Sequence, residues 1–116
     1  MKRGELYWAR LAPRSGSEQR GRRPVVIVSS DGFNEIPEWR SIIVVPVTSS
    51  IQQGRRGPTA VILSTEDTGL PRDSLAICHQ ITTLGRSKLE ARIAALPREA
   101  IQRVEDGIGA ACDLRF

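Results

Sequence analysis

The segment from residue 16 to residue 30, GSEQRGRRPVVIVSS, joins an arginine-rich loop directly to an apolar strand. Pro24 opens a continuous apolar run, which is typical of a buried strand. A proline suits the first residue of a strand, because it has no N–H to donate to the ladder. Arg20, Arg22 and Arg23 come just before it. The segment therefore predicts a buried strand with positive charge concentrated where it begins.

Apolar runs and alternations on both sides of this segment predict a mainly β (α+β) fold. Turn-rich stretches with Asp, Gly, Asn and Pro separate the runs. The predicted strands cover residues 5–11, 24–30, 41–50, 59–65 and 73–84, with a sixth over 91–96. Pro46 lies inside the third strand, which predicts a sheet edge or a bulge at that end. Five or six short strands predict a small barrel-like sheet.

The end of the sequence predicts an amphipathic helix that begins at Pro97. Apolar residues spaced for one helical face are Ile101, Val104, Ile108, Ala111 and Cys112. Gly107 and Gly109 each weaken a helix by about 1 kcal/mol relative to Ala. They also allow a neighbouring element to approach closely.

Length and cysteine content predict one cytoplasmic domain. The 116 residues suit a single compact unit, predicted here as 1–116. No signal-peptide h-region or membrane-length apolar run is present in the sequence. Cys78, Cys112 and His79 have no zinc-site spacing, and we expect neither a metal nor a nucleotide cofactor.

The charge balance favours an anionic partner, with nucleic acid first. The chain has 17 Lys and Arg against 13 Asp and Glu, for a formal charge of +4. Lys2 and Lys88 are its lysines, so nearly all of the positive charge is arginine, whose planar fork of donors suits phosphate. The alternative is that arginine simply reflects a GC-rich genome.

Two polar positions stand out as phosphate-binding candidates. Arg23 precedes a proline, which restricts its backbone and fixes where its side chain leaves the strand. The alternative is a solvated basic loop. Thr48, followed by Ser49 and Ser50, ends the third strand, where hydroxyls bind a phosphate or simply cap a turn.

His79 is the one histidine, and histidine side chains act as general acids or bases near neutral pH. A structural role is the alternative. Cys78 and His79 are adjacent in a predicted strand, so they should point to opposite faces and form no catalytic pair. Trp8 is expected in the core, whereas Trp39, beside Arg40, is expected to be exposed.

The order of these motifs resembles the MazF/PemK family of toxins from bacterial toxin–antitoxin pairs. The similar segments are RGELYWARL (3–11), GSEQRGRRPVVIVSSDGFN (16–34), VVPVTSS (44–50) and TGLPRDSLAICHQITTL (68–84), followed by the amphipathic helix. The resemblance covers essentially the whole chain in the same order. It implies an SH3-like β-barrel of five to seven strands with a C-terminal helix.

The resemblance also implies an activity and partners. Family members are homodimeric endoribonucleases, or mRNA interferases, that cut single-stranded RNA at short sequences without a metal. The RNA's own 2′-OH attacks, which leaves a 2′,3′-cyclic phosphate and a 5′-OH. A MazE-like acidic antitoxin neutralises the toxin, and the two bind DNA together.

Site residues follow from the resemblance, position by position. The family's catalytic arginine and threonine fall on Arg23 and Thr48. The residues that would contact RNA are Ser17, Glu18, Gln19, Arg20, Arg22 and Gln80. Some members of the PemK branch use an Arg-x-Asp pair, but those positions are Ile77 and His79 here, so the role of His79 stays open.

Two other functions remain as alternatives. A gyrase-binding toxin of the CcdB type shares the barrel but cleaves nothing. A non-catalytic nucleic-acid-binding barrel would use the basic loop without any chemistry. Cleavage of RNA separates the first hypothesis from both.

Overall fold

The computed structural model describes residues 1–12, 21–50 and 57–114. Its strands are β1 (Glu5–Leu11), β2 (Gly21–Ile27), β3 (Ser41–Thr48), β4 (Ala60–Leu63), β5 (Ser74–Ile77), β6 (Thr82–Gly85) and β7 (Leu89–Ala95). Its helices are α1 (Asp31–Asn34), α2 (Thr65–Thr68) and α3 (Arg98–Cys112), with 3-10 turns over Cys78–Gln80 and Arg86–Lys88. No helix in these described ranges is long and apolar enough to cross a membrane.

The seven strands form one antiparallel sheet in the order β4-β5-β3-β2-β1-β7, and β6 pairs with β3 beside β5. The prediction of a mainly β fold with a C-terminal helix is confirmed. Within the described ranges, the outer strands β4 and β7 do not pair with each other. The sheet is therefore not closed, and "barrel" describes it only loosely.

Strand β2 is buried on both faces, as its continuous apolar sequence predicts. Val25 and Ile27 belong to one core cluster, and Val26 belongs to another. The strand starts at Gly21, three residues earlier than predicted, because Arg22 and Arg23 already pair with β1. Arg22 and Arg23 thus belong to a strand and not to a loop.

The predicted fifth strand, 73–84, is wrong as a single element. Strand β5 ends at Ile77, a 3-10 turn follows, and the chain resumes as β6 at Thr82. Cys78 begins the turn, fully buried, with its Sγ donating to Val104 O on α3 at 3.5 Å. This residue packs on the helix at the point where the strand breaks. The break therefore coincides with a tertiary contact that the local sequence does not show.

Pro46 lies inside the sheet and not at its edge, so that prediction is corrected. It pairs with Val25 on β2. On the other side of β3, pairing with β6 ends at Val44 and pairing with β5 starts at Val47. Pro46 therefore occupies the interval in which β3 changes partners, where a missing N–H is tolerated.

The sequence analysis missed helix α2. The Ser64 side chain accepts a hydrogen bond from Asp67 N, and Gly69 ends the helix in the left-handed region at φ 73°. Asp73 Oδ1 also accepts from Thr65 N at 3.0 Å. An N-cap serine and a C-terminal glycine are ordinary signals for a helix, here compressed into four residues.

Helix α3 starts directly after Pro97, as predicted. Its fully buried positions are Ala100, Val104, Gly107 and Gly109. Cys112 is exposed, so its place on the buried face was wrong. Gly107 confirms the expected close approach, because a Cβ there would lie 2.6 Å from Cys78 Sγ and 2.9 Å from a Val61 methyl.

Candidate active site

A pocket of about 330 Å³ opens where β2 begins, β3 ends and β5 begins. The segment between α2 and β5 forms its remaining wall. The described residues that line the pocket are Trp8, Arg22, Arg23, Pro24, Val47, Thr48, Ser49, Leu70, Pro71, Arg72 and Ser74. Three of these side chains are arginines and none is Asp or Glu. The pocket therefore suits an anionic ligand.

Arg23 reaches this pocket from a fixed backbone. It pairs with Ala9 on β1, and the next residue, Pro24, pairs with Trp8. The side chain is partly buried. Strand pairing therefore fixes where this side chain leaves the backbone, and its guanidinium has the planar, paired donors that suit an anion.

Thr48 reaches the same pocket from the end of β3. It is 5% exposed, and its Oγ1 accepts a hydrogen bond from Ser50 N at 3.2 Å. This bond fixes the side chain at the strand end. A hydroxyl that accepts one bond can still donate its own proton, so Thr48 can donate to an oxygen bound in the pocket.

The β2–β3 register explains why the two residues meet. Val25 pairs with Pro46 in antiparallel register. Arg23 is two residues before Val25, and Thr48 is two residues after Pro46. Extending the register by one repeat therefore places the two residues opposite each other on one face. The expectation that they share one groove is consistent with this geometry.

Trp8, Arg72 and Ser74 are among the lining residues that were not predicted as site residues. Trp8 was expected in the core, but it is only partly buried and lines the pocket, so that expectation was wrong. Its pairing with Pro24 places it beside the arginines. Arg72 and Ser74 come from the RDS motif, and Ser74 is buried with its Oγ donating to Arg72 O at 3.3 Å. This motif, at 72–74 in the segment 68–84 that resembles the family, was the sequence signal that could have identified both residues.

The structure does not bring His79 or Gln80 into this pocket. Both lie on the 3-10 turn after β5, whereas the pocket lies at the other end of that strand, at Ser74. At about 3.3 Å per residue, the four residues of β5 put roughly 13 Å between the two ends. His79 is exposed and Gln80 is partly buried.

Cys78 and His79 do separate, but not for the reason expected. They lie on a 3-10 turn and not on a strand. Cys78 is buried against α3 while His79 faces solvent. Burial raises the pKa of the Cys78 thiol to about 11, so this thiol is a core group and a poor nucleophile.

The remaining predicted contacts lie outside the described residues. They are Ser17, Glu18, Gln19 and Arg20, all in the segment 13–20. Trp39 is 46% exposed, as expected, and its ring lies 4.7 Å from that of Phe33. It does not line the pocket.

Comparison with known proteins places the chain in a family. Residues 2–111 match the model of the PemK-like, MazF-like toxin of type II toxin–antitoxin systems. Endoribonuclease MazF6 of Mycobacterium tuberculosis is 35% identical over 112 residues, covering 97% of this chain and 96% of that protein. Endoribonuclease EndoA of Bacillus subtilis is 34% identical over 108 residues, covering 93% and 90%.

The fold agrees with a solved relative. The crystal structure of MazE–MazF from Deinococcus radiodurans superposes with a TM-score of 0.74 at 25% identity, covering 99% of this chain and 97% of that one. The match of sequence and fold over nearly the full length of each chain shows that this chain belongs to the family of PemK-like and MazF-like toxins of type II toxin–antitoxin systems.

Proposed function

We propose that this chain is an endoribonuclease toxin that cleaves single-stranded RNA at a short recognition sequence, in the pocket that Arg23 and Thr48 line. Its family and the endoribonuclease activity of its relatives support the class of reaction. The presence of both side chains in one pocket with no lining carboxylate among the described residues is the observation that carries the assignment.

The reaction uses a nucleophile that the RNA supplies. The 2′-oxygen of one nucleotide attacks the adjacent phosphorus and loses its proton, while the bond from phosphorus to the 5′-oxygen breaks. That oxygen takes up a proton. The products are a 2′,3′-cyclic phosphate and a 5′-OH, so no covalent enzyme intermediate forms.

Arg23 and Thr48 stabilise the transition state of this step. Negative charge grows on the non-bridging oxygens as the 2′-oxygen adds to phosphorus. Donors held in advance at that position stabilise the charge more than they stabilise the substrate. Arg23 offers a charged pair of donors, and Thr48 offers its hydroxyl proton. Because a protonated guanidinium meets this charge, the proposal includes catalysis without a metal ion.

Arginine is an awkward general base, because its guanidinium stays protonated at any ordinary pH. Arg23 is therefore assigned to charge stabilisation and not to proton removal. His79 was the sequence candidate for acid–base work, and it lies outside this pocket. Ser17, Glu18, Gln19, Arg20 and Gln80 stay predicted RNA contacts.

Partners and location belong to the same proposal. Residues 1–116 form one toxin domain that works as a homodimer in the cytoplasm, where mRNA is found. A MazE-like acidic antitoxin occupies the arginine-lined pocket region and competes with RNA, since charge complementarity favours such a partner. Light scattering should give twice the mass of one chain, and a single-chain mass would contradict the dimer.

One assay tests the activity. The protein is incubated with a long single-stranded RNA in EDTA, and the ends of the fragments are sequenced. We expect cuts at a recurring short motif, with cyclic phosphate on one side and 5′-OH on the other. Intact RNA, or fragments with 5′-phosphate ends, would contradict the proposal.

A further inference from the structure

Arg22, the neighbour of Arg23 in the chain, has two contacts that restrain its side chain. The Arg22 guanidinium carbon lies 4.3 Å from the centroid of the Trp8 ring. Its Nε donates to Glu90 Oε1 at 2.7 Å. The Arg22 side chain is 47% exposed and the Glu90 side chain 35%, so this arginine is held in place at the rim of the pocket.

The three side chains come from three adjacent strands. Trp8 lies on β1, which runs between β2 and β7 in the sheet. Arg22, on β2, extends across β1 over the indole and meets Glu90, on β7, at the far side. The cation–π contact and the ion pair therefore restrain the guanidinium at both its face and its edge.

A guanidinium restrained in this way is poorly suited to bind phosphate. The carboxylate of Glu90, which also lies 3.8 Å from the Arg10 guanidinium, already takes the Nε donor of Arg22 and offsets part of its charge. One face lies over the indole, and the side chain is half-exposed and lines the pocket. RNA-binding proteins commonly stack unpaired bases on arginine planes and aromatic rings.

We propose that Arg22, supported by Trp8 and positioned by Glu90, stacks against the base of a nucleotide next to the scissile phosphate. This assignment rests on the proposed function and divides the work of the two arginines. Arg23 acts on the phosphodiester, and Arg22 binds a base. Glu90 touches no RNA and acts as a positioning residue through Arg22.

The test uses a short RNA copied from the strongest cut site, with a 2′-deoxy nucleotide at the cut so that it cannot react. A series of these oligonucleotides lacks one base at a time at positions around the cut. We expect one flanking abasic position to weaken binding to the wild type about tenfold. That factor equals ~1.4 kcal/mol.

The Arg22→Lys variant keeps the charge but loses the plane. It should bind the intact oligonucleotide about tenfold more weakly and show no further loss at the sensitive abasic position. The affinity of Glu90→Gln for the oligonucleotide should lie between those of the wild type and Arg22→Lys. For a cleavable RNA it should show a raised KM and a kcat within about twofold of wild type. Both positions are on the surface, so folding should be unaffected.

Arg92→Lys provides the matched control, because it also keeps the charge and loses the plane. Arg92 lies on the same strand as Glu90, is half-exposed and donates from Nε to Glu5 at 2.6 Å, but it does not line the pocket. This variant should bind the whole series as the wild type does. An equal effect of Arg92→Lys and Arg22→Lys would overturn the stacking assignment.

The outcomes separate the two levels of the proposal. Wild-type affinity in Arg22→Lys, or an abasic penalty that persists in it, shows that no base depends on the Arg22 plane and overturns the stack while cleavage continues. A wild-type protein that leaves the long RNA uncut contradicts the proposed function, and the stack falls with it.

Discussion

Arg23 and Thr48 line one pocket, and extending the β2–β3 register by one repeat would place them opposite each other. The pair Val25–Pro46, two residues further into the sheet, sets that register. A strand buried on both faces is a rigid support, because close packing leaves its residues few alternative positions. The apolar run after Pro24 thus explains why positive charge is concentrated just before the proline. The buried strand fixes the point at which the Arg23 side chain leaves the backbone.

Arg23→Lys keeps the positive charge but removes the planar fork of donors. We expect kcat/KM for RNA cleavage to fall at least about tenfold, the effect of losing ~1.4 kcal/mol of transition-state stabilisation. Arg92→Lys, outside the pocket, is the control and should retain wild-type rates. Cleavage by Arg23→Lys at the wild-type rate would remove Arg23 from the reaction.

His79→Ala should leave cleavage within about twofold of wild type across the neutral pH range. The side chain is exposed and lies outside the pocket, at the far end of β5. The measurement is the pH dependence of kcat/KM for both proteins. A rate limb at about pH 6–7 that the variant loses would place His79 in the chemistry instead.

The folded sheet was predictable wherever local sequence decides the structure. The apolar run of β2 is buried on both faces because it belongs to two core clusters, and Pro97 starts the final helix as its fixed φ favours. The division of residues 73–84 was not predictable. It accompanies the packing of Cys78 on α3, a contact between residues 26 positions apart.

The candidate site divides in the same way. Arg23 and Thr48 carry motif signals at strand ends, and the structure places both in one pocket. Trp8 has no such motif signal, and its alternating strand sequence predicted a place in the core. Only the pairing of β1 with β2 shows that it lies beside Pro24. Glu90 was not predicted as a site residue, since its ion pair with Arg22 depends on the order of three strands.

Gly107→Ala should destabilise the fold even though alanine is the better helix former. The gain of about 1 kcal/mol in helix propensity is opposed by a Cβ that would lie 2.6 Å from Cys78 Sγ. Overpacking of this kind costs about 1–3 kcal/mol. Urea unfolding should show a net loss in the free energy of unfolding. The loss caused by Gly107→Ala should be smaller in a Cys78→Ala background than in the wild type.

A control for that experiment is the exposed position Ala110 on the same helix. Ala110→Gly reports the propensity difference alone, about 1 kcal/mol. If Gly107→Ala stabilises the protein by that same amount, α3 does not approach Cys78 as closely as described.

Acid should weaken the fold partly through Asp31. Hydrogen bonds from Arg3 N at 2.7 Å and from the Asn34 side chain at 3.1 Å lower the pKa of its carboxyl below the ordinary 3.8. A lowered folded-state pKa gives stability that is present above about pH 4 and is lost as pH falls through the folded value.

Asp31→Asn should therefore be less stable than wild type at neutral pH, by about 1 kcal/mol for a weakened charged hydrogen bond. That difference should shrink as the pH falls to about 2. Urea unfolding of both proteins at several pH values measures it. A difference that stays constant from neutral to acid pH would show that the Asp31 charge contributes nothing.

The central claim is that Arg23 and Thr48 act together on one phosphodiester, and a double-mutant cycle in single-turnover cleavage tests it most directly. Arg23→Lys and Thr48→Val are measured singly and together, with Thr83→Val as a control at an exposed threonine on β6. We expect each single change to slow cleavage at least about tenfold, and the double variant to lose clearly less than the product of the two factors, because groups acting as a unit are not additive. The account would be contradicted if the rate losses of the two single variants multiplied in the double variant, as they do for independent sites. It would also be contradicted if Thr48→Val were as active as Thr83→Val.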